Sequence, residues 1–235
     1  MKTIFKTLTL SITILTSTSL FSSCQKNNDT ALLDQERNNH STESHVAFVA
    51  TAQLTTSEIS NLVFMKEEEK LARDVYSALY KKWGSRIFSN ITLSENTHMG
   101  EVIDLLKYYN IADTSVLAEG EFQNAELQVL YTQLVAKGST SLAEAYTTGA
   151  LIEDLDIKDL TEFISKTTNS NIISVFTQIR SGSYNHINSF VSQLSSLGIT
   201  YKPTYISQTE FDTIIAAGSG GSGSRGNGSG KYGRR

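Results

Sequence analysis

Five side chains able to hold a cation fall where a helical pattern asks for hydrophobic residues. Glu69 lies on the stripe Leu62, Met65, Glu69, Ala72, Tyr76 and Leu79, spaced alternately by three and four. A carboxylate inside a helical core is costly unless a cation or hydrogen-bond donors meet it. Glu95 and His98 are three apart, so on a helix they share one face, which Val102 and Leu105 continue. Glu153 falls on the stripe Tyr146, Gly149, Glu153, Asp156 or Ile157, and Leu160, and His186 on the stripe Ile179, Ser183, His186 and Phe190. Oxygen donors combined with imidazole suit Fe, Mn or Zn. Blander readings exist for each residue. The run Glu67-Glu68-Glu69 can be a solvated face with Glu69 paired to Arg73, Thr92-x-x-Glu95 can be a capping box, and His186 can be a hydrogen-bonded core residue.

The elements that must position these residues are helical. Thr55-x-x-Glu58 predicts a helix start, and Gly84 a stop after Trp83. A second helix holds Ile91 to Tyr109, followed by a connection over Asn110 to Phe122. A short helix is expected from about Gln123 to Lys137, ended by Gly138. Ser141-x-x-Glu144 opens another that continues to about Lys166, and a long one runs from about Asn171 to Leu197, stopped by Gly198. Ser207-x-x-Glu210 predicts a last short helix after Pro203. Strand-like alternation is scarce, so the domain over residues 55–217 reads as all-α.

Helix length also brings the polar residues level. From Glu153 about fourteen residues reach the turn and about twelve return to Ser183, legs of roughly 21 and 18 Å. Glu69 and Glu95 match only if the second helix starts before Thr92 or if residues 84 to 91 run back extended. Two helical hairpins then face each other across one polar centre.

The termini differ in kind. Lys2 and Lys6 precede an apolar stretch, Ile4 to Phe21, that ends at Phe21-Ser22-Ser23-Cys24. This resembles a bacterial lipoprotein leader, with residues 1–23 removed and Cys24 acylated. Cys24 is the single cysteine, which rules out an intramolecular disulfide and any thiolate metal cluster. Residues 24–54 then read as the lipidated cysteine and a polar tether, whose typical reach is roughly 30 Å. Residues 218–235 form a Gly/Ser-rich basic tail expected to be disordered. Its GxGxxG at Gly218, Gly220 and Gly223 has no strand before it and no helix after it, so it does not describe a nucleotide site. The net charge of −4 becomes −6 without Lys2 and Lys6, and −10 once Arg225, Lys231, Arg234 and Arg235 are set aside. An acidic body of this kind is not expected to bind nucleic acid, which needs a basic face.

Here the residues reach a resemblance. Glu69-Lys-Leu-Ala-Arg-Asp-Val-Tyr76 is similar to the first-helix metal motif of rubrerythrin-type proteins. EEEKLARDVY, SENTHM, the run from Gly120 to Tyr131, GALIEDLDI and GSYNHINSF resemble the DUF2202 domain, a ferritin-like family, over about Leu54 to Ile215. The resemblance implies a ferritin-like four-helix bundle with an extra short helix between its two hairpins and a short C-terminal helix. Such di-iron proteins take one Glu from each of two helices and Glu-x-x-His from each of the other two. Carried over, Glu69 and Glu153 are the single carboxylates, in bridging positions, Glu95 and His98 form one pair, and His186 is the histidine of the other. Its partner position holds Ser183, so one charged ligand is missing. Asp156 or Glu68 then serves as an additional ligand, around two irons or one metal, with Mn and Zn as alternatives. Tyr76, Tyr146 and Tyr184 are candidate neighbours for electron or proton transfer.

The implied function is an exported, lipid-anchored metal protein of the bacterial envelope, with the outer membrane favoured, that oxidises Fe(II) or reduces peroxide. The alternative is a non-catalytic helical module displayed at the membrane for partner binding, with Glu69 and His186 as buried hydrogen-bonding residues.

Overall fold

The computed structural model describes Phe48, residues 53–113 and residues 118–219. The leader, Cys24, the tether before Phe48 and the tail beyond Ser219 lie outside the described residues. Among the described residues the chain is all-helical: α1 (Thr56–Trp83), α2 (Arg86–Tyr108), α3 (Ala125–Gly138), α4 (Leu142–Ser165), α5 (Ser170–Ser196) and α6 (Gln208–Ser219). None of these helices is long and apolar enough to cross a membrane.

Local chemistry fixes most of the ends. Thr55 Oγ1 accepts from the Glu58 amide at 3.2 Å while Glu58 Oε2 accepts from the Thr55 amide at 2.8 Å, the reciprocal capping box expected for α1. Gly84 closes α1 at φ 66°, a conformation that glycine adopts without steric cost. Only Gly84 and Ser85 separate α1 from α2, so the two helices fold back on each other. Ser141 caps α4 through the Glu144 amide at 3.0 Å, and Ser207 receives the Glu210 amide at 3.1 Å.

Three expected boundaries move. The second helix begins at Arg86, five residues before the apolar pattern suggested, because Ser85 caps it without a side-chain hydrogen bond and leaves little signal. Phe48 and Leu54, counted with the tether, belong to the domain: Leu54 is buried, and the Phe48 ring lies 5.0 Å from that of Tyr108. Gly218 and Ser219, counted with the tail, still belong to α6. Asn188 sits so close to Gly218 that an added Cβ would meet its Oδ1 at 2.4 Å, and Asn188 also donates to the Ile214 carbonyl at 3.3 Å.

Helix α1 packs along α2, and α4 along α5; α2 also meets α5, and α1 meets α4, with α3 resting on α1 and α4. The buried hydrophobic residues form two clusters. One holds Val75, Tyr76, Leu79, Phe88, Ile91, Ile187 and Phe190, and the other Leu62, Met65, Val102, Leu105, Val175 and Ile179. On α1, α2 and α5 the polar positions fall between the two clusters in sequence. Apolar burial at about 25 cal/mol per Å² at both ends holds the layer of carboxylates and imidazoles in place.

Candidate metal centre

Glu69, Glu95, His98, Glu153, Asp156 and His186 are all buried, each less than 9% exposed. Two converging groups arise: Glu69, Glu95 and His98, and Glu95, Glu153 and His186, each with one ligand atom per residue within 4.8 Å of the others. His98 Nδ1 lies 2.8 Å from Glu95 Oε2 and 3.3 Å from Glu69 Oε2. His186 Nδ1 lies 2.9 Å from Glu95 Oε1 and 3.4 Å from Glu153 Oε2. The position shared by the two histidines therefore belongs to Glu95. Glu69 and Glu153, the single carboxylates of the resemblance, each meet one histidine. Glu95 reaches both because α2 packs between α1 and α5.

Several buried atoms in this layer lack a hydrogen-bond partner: Glu69 Oε1, Glu95 Oε1, Asp156 Oδ1 and His186 Nδ1. Glu95 Oε1 and His186 Nδ1 are close yet not aligned as donor and acceptor, as two donor atoms directed at a common third point would be. Metal ligands of these types sit about 2.0–2.2 Å from the ion, so two at right angles are about 3 Å apart. The donor set and its unpaired atoms fit a cation of the Fe, Mn or Zn type.

The surroundings orient the candidate ligands. His186 Nε2 is 3.0 Å from Ser94 Oγ, which leaves Nδ1 facing the carboxylates. Tyr76 donates its hydroxyl proton to Glu153 Oε1 at 2.5 Å. His98 backs onto α5 at Gly182, where a Cβ would stand 2.5 Å from His98 Nε2, so only glycine leaves room for that ring. Ser183 donates to Asp156 Oδ2 at 2.5 Å, so a carboxylate of α4 lies against the α5 position where the resemblance looked for one. Sequence reasoning missed Gly182 and Ser94; both flank residues it had singled out, and only the packing of α2 against α5 gives them their roles.

Electrostatics follow from burial. Burial raises Glu69 to about 8 against the opposing pull of His98. Burial raises Glu153 too, and Asp156 well above its ordinary value, with neighbouring carboxylates adding to both. For Glu95 burial works upward, but His186 and His98 hold it far below the usual carboxylate range. Burial alone would depress the imidazoles, yet Glu153 and Glu95 lift His186 to about 10, and Glu69 and Glu95 lift His98 well above 6.5.

Other expected neighbours sit elsewhere. Glu68 joins neither group and faces Asp159, with Asp156 and Glu69 nearby. The Tyr146 hydroxyl pairs with Ser85 Oγ at 2.9 Å by the α1–α2 turn, and Tyr184 is a half-buried residue packed on the core. The blander partners expected for Glu69 and Glu95 are not found. Arg73 Nη2 pairs with Asp74 Oδ1 at 2.7 Å instead of Glu69, and Thr92, in mid-helix, donates back to the Phe88 carbonyl at 2.8 Å.

The family model described as "Uncharacterized protein domain (DUF2202)" matches residues 58–218. The chain is similar to Uncharacterized protein MJ0754 of Methanocaldococcus jannaschii, with 44% identity over 174 residues, 74% of this chain and 94% of the relative. It is similar also to the crystal structure of hypothetical protein MJ0754 from Methanococcus jannaschii, with a TM-score of 0.71 and 45% identity. That match covers 72% of this chain and 98% of the other.

Proposed function

The chain belongs to the DUF2202 family, and from that premise we propose that it is a metal-binding protein built as a ferritin-like four-helix bundle of α1, α2, α4 and α5. Its centre takes two cations, one at Glu69, Glu95 and His98 and one at Glu95, Glu153 and His186, with Glu95 shared. One observation carries this reading: Glu95 Oε1 and His186 Nδ1 are buried 2.9 Å apart, and neither has a hydrogen-bond partner. Without a metal the two are held as an imidazolium–carboxylate contact that lacks hydrogen-bond alignment, and a cation can take the place of the proton between them. Asp156, held by Ser183, supplies the carboxylate that α5 lacks, which brings the donors to four carboxylates and two imidazoles.

Iron is the cation proposed first, with Mn and Zn able to use the same donors. Iron bound there supplies redox chemistry toward oxygen or peroxide, so the activity proposed is oxidation of Fe(II) or reduction of peroxide. The chain's own residues set the conditions. Ser94 and Gly182 fix the two imidazoles, and the Tyr76 hydroxyl holds a proton against Glu153 Oε1. The apolar clusters on either side exclude bulk water. We propose further that the domain is displayed at a membrane of the cell envelope through acylated Cys24 and the polar tether, an arrangement that does not suit a closed storage cage.

Anaerobic calorimetric titration of the full chain with Fe(II) tests the reading. Saturation at two ions per chain, followed by oxygen uptake on admitting air, is expected. Absence of saturable binding of Fe(II), Mn(II) and Zn(II) overturns it and leaves a helical module without metal.

A further inference from the structure

The centre comes nearest to solvent along one seam. The side chains of His98 and His186 are 9% and 10% exposed, against 1–3% for Glu69, Glu95 and Glu153. The two imidazoles come from α2 and α5, so solvent approaches between these helices. At one end the seam is shut: His98 fills the space over Gly182, and one turn further on Glu101 accepts from Gln178 Nε2. At the other end it widens into a groove of about 520 Å³, lined by Ile87, Asn90 and Ile91 of α2 and by Asn188, Ser189 and Gln193 of α5. Asn90 and Ile91 precede Ser94 by four and three residues, and Ser189 follows His186 by three. The groove therefore ends one helical turn from Ser94 and His186.

What closes the groove at that end is the hydrogen bond between them. His186 Nε2 and Ser94 Oγ meet at 3.0 Å across the seam, in a partly buried position. Other hydroxyls of α2 bond backwards along their own helix: Ser89 to the Arg86 carbonyl, Thr92 to Phe88 and Thr97 to Leu93. Ser94 has the same choice in the Asn90 carbonyl, by rotation about one side-chain bond. Turning there takes it off His186 and opens the floor of the groove toward the imidazole. The α5 wall is braced, since Asn188 donates to the Tyr184 carbonyl at 2.6 Å and to the Ile214 carbonyl of α6 at 3.3 Å. Among the described residues that line the groove none carries a charge; amide and hydroxyl groups stand beside the two isoleucines. A cation or an anion finds no counter-charge there, whereas a small neutral molecule finds both donors and acceptors.

We propose that this groove is the entry to the centre for a small uncharged molecule that forms hydrogen bonds, with Ser94 as the residue that opens and closes it. This rests on the metal-binding reading above and names the class of molecule that reaches its site. Water and hydrogen peroxide have the required size and chemistry; a bulky organic hydroperoxide, a carboxylate or a phosphate does not. Ser94 acts through His186, as a positioning residue whose movement admits the molecule beside Nε2.

The first test needs no metal. In the full chain carrying Cys24→Ser, Ser94→Cys places a lone thiol at the inner end of the groove, and Leu93→Cys, at a position 71% exposed, is the reference. Relative to that reference, neutral methyl methanethiosulfonate should modify Ser94→Cys at least tenfold faster than positively or negatively charged methanethiosulfonates do, read by mass spectrometry. Adding Asn90→Trp or Ser189→Trp, at exposed rim positions where folding is least at risk, should slow the neutral reagent at least tenfold. A charged reagent that matches the neutral one overturns the assignment of an uncharged molecule. An unslowed reaction in both plugged variants overturns the route. The second test mixes the Fe(II)-loaded full chain with hydrogen peroxide, whose O–O bond breaks as two electrons from Fe(II) and two protons give two waters. Asn90→Trp and Ser189→Trp should keep the parental Fe(II) content and oxidise at least tenfold more slowly by stopped-flow absorption. The parental rate in both variants overturns the entry and leaves the metal-binding reading intact. A parent chain that binds no Fe(II) overturns both.

Discussion

Glu95 and His186 come from different helices and place Oε1 and Nδ1 2.9 Å apart, while the other oxygen of Glu95 lies 2.8 Å from Nδ1 of His98. One carboxylate thus spans two imidazoles whose rings stack with centroids 5.5 Å apart and an interplanar angle of 28°. The two-cation reading turns on that span, which joins the two candidate half-sites.

Glu95→Gln should therefore affect both half-sites. Bound metal is expected to fall from two ions per chain to none at micromolar concentrations, because the amide keeps the shape but loses the charge and one of its acceptor oxygens. Glu69→Gln removes a ligand of one histidine only and should retain about one ion. Metal content of the two purified variants checks the difference.

The pairing of Ser183 with Asp156 can be exchanged. Asp156→Asn should lower metal content or weaken one site at least tenfold, about 1.4 kcal/mol. Moving the carboxylate across, as Asp156→Ser with Ser183→Glu, should restore two ions. Calorimetric titration of the single and double variants reads both outcomes.

Gly182→Ala is expected to displace His98, since the new Cβ would stand 2.5 Å from its Nε2. Overpacking of this kind costs about 1–3 kcal/mol. The melting temperature should drop and the Glu69 side of the centre should lose its ion. Gly100, also helical but with open space at its Cβ, should accept alanine without either effect.

Asp154 gives a contrasting case. It is fully buried and accepts from the Tyr201 hydroxyl at 3.0 Å, from the Tyr205 and Ile206 amides at 3.1 and 2.9 Å, and from the Thr204 amide. It docks the segment between α5 and α6. Asp154→Ala strands these donors, each at about 1–3 kcal/mol where water cannot replace the acceptor. Denaturant unfolding should show a loss of at least about 3 kcal/mol, while metal content per folded chain stays at the parental value.

Acid and base should act oppositely on the protein alone and on its metal affinity. His186 is lifted from 6.5 to about 10, and His98 is lifted in the same direction. The folded chain then binds more protons than the unfolded one between those values. The stabilisation from His186 is complete below about pH 6.5 and is lost as pH rises through about 10, and that from His98 is lost in the same direction. Glu69, raised from 4.5 to about 8, works in the same sense over its own range. Chelator-treated protein should melt at progressively lower temperature from pH 6.5 to 10. Cations must displace the same protons, so metal affinity should rise with pH over the lower part of that window. Thermal scans and titrations in matched buffers test the two slopes.

The fold was legible where side chains announce helix ends. Thr55 with Glu58, Ser141 with Glu144 and Ser207 with Glu210 all cap as their spacing suggests. The start of α2 was obscured because Ser85 makes no side-chain cap bond. Of the centre, the inward positions could be read from periodicity, which is a property of one helix at a time. What lies between helices could not. Asp156 and Ser183 are 27 residues apart, and nothing local marks their hydrogen bond. The sharing of Glu95 depends on how closely α2 approaches α5. Glu68 follows Glu67 and precedes Glu69 in an acidic run, yet each turns about 100° from the next. One accepts from the Asn124 amide at the start of α3, one is buried among apolar residues and one reaches His98.

The most direct measurement is anomalous diffraction at the iron edge from crystals of the chain grown anaerobically with Fe(II). Two peaks are expected, one beside Nδ1 of His98 and one beside Nδ1 of His186, with the Glu95 carboxylate between them. A map with no peak among Glu69, Glu95, His98, Glu153 and His186 at saturating Fe(II) would contradict the account.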